Sequence, residues 1–125
     1  IFKTFLSLAN IKSKFSSIDS FDLSETIRKG KPSKRKFIPY FVGSELRAFR
    51  YKDHKIHFIT QGAYNMPPPR ELHEKPLLYD LSKDIGESQD ISEIDTKTLE
   101  IIIKESELFK KDLIIRKSIV DVQFQ

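Results

Sequence analysis

The clearest hydrophobic period in the chain covers residues 96–113. Leu99, Ile102, Ile103, Ser106, Phe109 and Leu113 fall there on one stripe at three- and four-residue spacing, which predicts a helix buried on that face. Asp95 precedes it as an N-cap, and Lys110 and Lys111 near its far end complement the helix dipole. Upstream the period changes to two. Residues 46–51 and 55–60 read as strands joined through Lys52, Asp53 and His54. Leu46 and Ala48 should face one way and Phe49 and Tyr51 the other, while Ile56 and Phe58 oppose His57 and Ile59. Apolar positions on both faces predict a sheet covered on part of its second side.

Residues 36–42 form an aromatic strand pattern, and Pro39, which has no NH to donate, places it at an edge or a bulge. Residues 61–75 carry Gly62, Pro67, Pro68 and Pro69 without a period, so a long loop is expected. A strand follows over 76–81 and turns over 82–90. Ile1, Phe5, Leu6 and Leu8 suit a helix cut within its length and ending near Asn10, followed by a Ser-rich loop to residue 21. Residues 21–27 resemble a short helix or turn capped by Asp22 or Ser24. Ile119, Val120, Val122 and Phe124 favour a last strand over 114–125. The fold class is α+β: an antiparallel sheet of about four strands packed against a C-terminal helix.

Composition adds exclusions. The chain has no cysteine, so disulfides, thiolate metal sites and a Cys nucleophile are ruled out. No run approaches the ~20 apolar residues that cross a bilayer, and residues 1–8 lack the flanks of a signal peptide. The net charge of +4 is concentrated in Arg28, Lys29, Lys31, Lys34, Arg35 and Lys36. Such a cluster is either a solvated loop or a non-catalytic anion-binding module. No aromatic residue is interleaved within it to stack bases, which argues against nucleic acid as the partner.

Three histidines are the side chains that titrate near neutrality. His54 reads as an exposed turn residue, and His57 as a packing residue on a strand. His73, late in the long loop beside Glu71 and Glu74, is the best functional candidate of the three, with an exposed loop histidine as the alternative. Asp80, Asp84, Glu87 and Asp90 do not have calcium-loop spacing. HExxH, a phosphate-cradling Gly loop and a nucleophile elbow are all lacking.

Several segments resemble the C-terminal region of the arylsulfatases. Ile1-Phe2-Lys3-Thr4-Phe5-Leu6-Ser7-Leu8-Ala9 is similar to that family's "PTFLSLAG" helix end, and Phe21-Asp22-Leu23-Ser24 to its "DLSP" turn. Leu46-Arg47-Ala48-Phe49-Arg50 with Lys55-Ile56-His57-Phe58-Ile59-Thr60-Gln61 resembles "LRAVR…YKAHFITQ". The run from His73 through Glu87 resembles "HEPPLLYDLSKDPGE". Lys52 stands where the family has a hairpin Gly, which predicts a less tight turn. Ser20, Glu25, Lys75 and Ile85 are further departures.

The resemblance implies the C-terminal subdomain of the sulfatase, alkaline-phosphatase-like fold. Residues 1–35 would be the end of a preceding catalytic domain with its connecting loop, and 36–125 the sheet and helix. It implies that the chain is part of an exported hydrolase of sulfate esters, acting on sulfated carbohydrates or related substrates. The calcium ligands and the formylglycine nucleophile would lie in an N-terminal domain, with no catalytic or metal residue in this chain. Lys55 and His57 would belong to the scaffold, and His73 would bind or orient the sulfated substrate.

Overall fold

A computed structural model describes residues 1–12 and 20–114. The chain divides into two compact units, Ile1–Lys36 and Phe37–Gln125.

In the first unit, helix α1 spans Phe2–Leu8 and helix α2 spans Ser24–Lys29. Polar bonds join them to the intervening chain. Thr4, the buried residue of α1, donates through Oγ1 to the Phe21 carbonyl at 3.2 Å and accepts from the Leu23 NH at 3.0 Å. Ser7 donates to Asp22 at 2.7 Å, and Asp22 accepts from the Ser24 NH at 2.9 Å, so the expected capping aspartate is engaged one residue before the Leu23 cap position. Gly30 ends α2 at φ 64°, a left-handed conformation that glycine adopts without steric cost.

The second unit is an antiparallel sheet of four strands in the order β1-β2-β3-β4: β1 Phe37–Val42, β2 Glu45–Tyr51, β3 His54–Thr60 and β4 Glu71–Asp80. Pro39 lies on edge strand β1, the place in a sheet where a residue without an NH is tolerated. Helix α3, Thr96–Lys111, packs on one face and is capped by Asp95, which accepts from the Thr98 NH at 3.1 Å. The core of Phe49, Ile56, Leu78, Leu99 and Ile102 joins helix to sheet. Around it Phe37 stacks on Phe49 at 5.1 Å, and Phe109 lies 5.3 Å from Phe37 and 5.8 Å from Phe49. Burying each such side chain contributes about 1.5–3 kcal/mol, so this cluster dominates the unit's stability.

Four expectations change. First, a register shift between Tyr40 and Phe41 leaves Arg47 as an extra residue, so Leu46 packs on the helix side together with Phe49 and Tyr51. A bulge reverses the alternation on one side of itself, and the strict period missed it. Second, β4 begins at Glu71, so His73 lies on a strand rather than in a loop. Third, His54 is the half-buried first residue of β3, not an exposed turn residue. Fourth, the connection between β2 and β3 is tight: Tyr51 pairs with His54 across Lys52 and Asp53, and Lys52 takes φ 55°. The strand expected over 114–125 falls outside the described residues after Ile114, as does most of the Ser-rich loop.

Candidate functional site

The pleat that turns Phe49 and Ile56 toward α3 turns Ala48 and its cross-strand partner His57 to the opposite face. On that side lies a cleft of about 520 Å³. Val42, Ile59 and Ala63 supply its apolar wall, and Arg47, His57, Thr60 and Gln61 its polar groups, with Tyr64 at the rim. Arg47, displaced by the β2 bulge, sits 2.8 Å from Glu45 and donates to the Gln61 side-chain oxygen at 3.3 Å. Arg70 also reaches Glu45, at 2.6 Å.

His73 joins this region through Thr60. Its Nε2 lies 2.8 Å from Thr60 Oγ1, and its Nδ1 is 3.8 Å from Glu71. The ladder explains the approach. Thr60 pairs with Glu71 and Ile59 with Leu72, but His57 next pairs with Leu77, so residues 73–76 face Phe58 alone. This wide bulge at an edge strand also accommodates Pro76. His73 is only 12% exposed, which fits a held side chain better than a solvated one.

His57 is built into a second cluster. Its Nε2 contacts Glu87 at 2.5 Å, and Lys55 donates to the other oxygen of Glu87 at 2.6 Å. Burial pushes the His57 pKa down, the Lys55 cation adds to that, and together they outweigh the carboxylate. His57 is therefore a neutral ring donating from Nε2 near pH 7. For Glu87, burial alone would raise the pKa, but hydrogen bonds from Lys55 and His57 hold it below the usual carboxylate value. Tyr79 meets the His57 ring edge-on at 5.5 Å. The scaffold reading of Lys55 and His57 lacked this third member, because Glu87 lies thirty residues away with no local pattern pointing to it.

The remaining carboxylates organise backbone. Asp80 accepts from Ser82 and Lys83, and Asp84 from the NH groups of Ser88 and Gln89. Asp90 accepts from the Leu78 and Ser92 NH groups. No group of three His, Cys, Asp or Glu among the described residues could hold a metal ion. In the basic run, Lys29 and Lys31 pair with Glu25, Arg28 donates to the Leu8 carbonyl, and Arg35 lies over the Phe21 ring at 4.8 Å. No helix among the described residues is long and apolar enough to cross a membrane.

The sequence marks His73 as a candidate but does not show that Arg47, Gln61 and Tyr64 line the neighbouring cleft. Arg47 is hidden by strand alternation, and an aromatic residue between Gly62 and three prolines was the available signal for Tyr64.

Comparison with known proteins adds three findings. The family model described as the C-terminal region of aryl-sulfatase matches residues 33–123. Human arylsulfatase A is 33% identical over 90 residues, covering 60% of this chain and 18% of that protein. Two solved structures share the fold. One, from work on glycosaminoglycan metabolism by Bacteroides thetaiotaomicron, has TM-score 0.66 and 21% identity over 89% of this chain and 24% of its own. The other, a sulfatase of Pseudoalteromonas sp., has TM-score 0.65 and 18% identity over 86% of this chain and 24% of its own. The chain thus spans about a quarter or less of the length of each relative.

Proposed function

The chain belongs to the family of aryl-sulfatase C-terminal regions, and from that premise we propose that it completes the substrate side of the active site in an enzyme hydrolysing sulfate esters, sulfated carbohydrates among them. In this reading an N-terminal domain supplies the formylglycine nucleophile and the calcium that stabilises charge on the sulfate. The same reading assigns no chemical step to the residues of this chain.

Its own residues bind and orient. The observation that carries the reading is the Thr60–His73 pair at the end of β3, next to the cleft and the loop after it. With Nε2 fixed by Thr60, the imidazole is held in one orientation, and Nδ1, with the Glu71 carboxylate 3.8 Å away and outside hydrogen-bond reach, is the ring atom that would bond a sulfate oxygen or a sugar hydroxyl. Such pre-positioning lowers the entropy lost when substrate binds.

Turnover of 4-nitrocatechol sulfate tests the division of labour. The whole gene product that contains this chain should hydrolyse it, and the chain alone should not. Hydrolysis by the isolated chain, abolished by a substitution within it, would overturn the proposal.

A further inference from the structure

Tyr64 is 97% exposed, yet its backbone is held at φ 53° and ψ 37°, a left-handed conformation unfavourable for a bulky side chain. The loop around it closes on itself. The Gly62 NH donates to the Pro68 carbonyl at 2.8 Å, and the Met66 NH to the Ala63 carbonyl at 3.0 Å. A β-carbon at Gly62 would overlap the carbonyl oxygens of Met66 and Pro67, so only glycine permits this closure. An aromatic ring held on strained backbone and left almost wholly in solvent contributes nothing to the fold, and strain of this kind concentrates at ligand sites.

We propose that Tyr64 is the platform on which a pyranose ring of the substrate stacks at the mouth of the cleft. The C–H face of a sugar lies flat on an aromatic ring, while its hydroxyls need planar donors and acceptors at its edge. Arg47 and Gln61 line the same cleft, and because Arg47 binds the Gln61 side-chain oxygen, the Gln61 amide nitrogen is the atom turned to a ligand. The cleft sets the apolar wall of Val42, Ile59 and Ala63 beside the polar groups of Arg47 and Gln61, a mixed lining that matches the C–H face and hydroxyl edge of a sugar ring. The cleft volume of about 520 Å³ lies in the range of small-molecule sites. The inference rests on the proposed role of this face and narrows its substrate to carbohydrate.

The test is saturation-transfer NMR on the full chain with galactose 6-sulfate at millimolar concentration. Transfer to the ring C–H protons of the sugar is expected. Tyr64→Ala should weaken it about ten-fold, and Tyr64→Phe, which keeps the ring, should preserve it. Methyl signals of buried Ile56, Leu78 and Ile102 report that each variant is folded. No transfer, or transfer unchanged in Tyr64→Ala, overturns the inference. Its failure is distinct from that of the proposed function, which is read from aryl sulfate turnover: turnover without Tyr64-dependent transfer removes the platform only, and transfer without turnover removes the hydrolase reading only.

Discussion

Thr60 Oγ1 lies 2.8 Å from His73 Nε2, across a ladder in which Thr60 itself is paired with Glu71. The contact spans thirteen residues of chain and a wide bulge in β4, and it turns a histidine expected in a loop into a fixed part of the sheet edge.

Acid should loosen the sheet in two stages. His57 is depressed below its ordinary value of 6.5 and Glu87 below its ordinary 4.5, so in both cases the unfolded chain binds the proton more readily than the folded one. The His57 share is complete above pH 6.5 and is lost as pH falls through its folded value. The Glu87 share persists to pH 4.5 and is lost below it. Thermal melts from pH 7.5 to 4 should show Tm level above pH 6.5, falling below it as the His57 share is lost and falling again below pH 4.5 with the Glu87 share, and His57→Gln should flatten the upper of the two falls. A Tm that rises on acidification contradicts the account.

Asp90 substitutes for a fifth strand. It accepts from the Leu78 NH at 2.9 Å while the Ile91 NH donates to the Leu78 carbonyl at 2.8 Å, so both outward backbone groups of Leu78 are satisfied at the β4 edge. Asp90→Ala should cost about 1–2 kcal/mol in chemical denaturation, with Asp90→Asn retaining part of it. An unchanged midpoint would show that solvent replaces the carboxylate fully.

Lys52 occupies the left-handed position of a two-residue hairpin at φ 55°. Replacing it with glycine removes a steric penalty of about 1 kcal/mol, which the added freedom of the unfolded chain partly offsets. Lys52→Gly should therefore be neutral to stabilising by up to about 1 kcal/mol, and Lys52→Val destabilising by about 1 kcal/mol or more. Equal stability of the two variants would contradict the hairpin geometry.

Much of the fold was legible in the sequence because the informative patterns are local. The stripe through Leu99 and Ile102, the Asp95 cap and the alternation through Ile56, His57 and Phe58 each fix an element from its own residues. What escaped was non-local. The bulge at Arg47 and the early start of β4 at Glu71 depend on the opposing strand, which a single segment does not encode. The same holds for the site. His73 stands out in the sequence as a candidate by its neighbours and by the resemblance, and the display of Tyr64 comes from the loop closed between Gly62 and Pro68, whereas the reach of Glu87 to His57 arises only when distant segments meet. The apolar residues of α1 show the converse, since Phe2 is 45% and Phe5 64% exposed while Thr4 is buried.

The most direct measurement is steady-state kinetics of the whole gene product on a sulfated carbohydrate, comparing wild type with His73→Ala and Thr60→Val. Loss of a group that binds and orients substrate without entering the chemistry should raise KM about ten-fold for His73→Ala, with kcat within about three-fold. Thr60→Val should give a smaller rise in the same direction, because it frees the ring without removing it. Unchanged KM in both variants would contradict the placement of His73 on the substrate side of the active site.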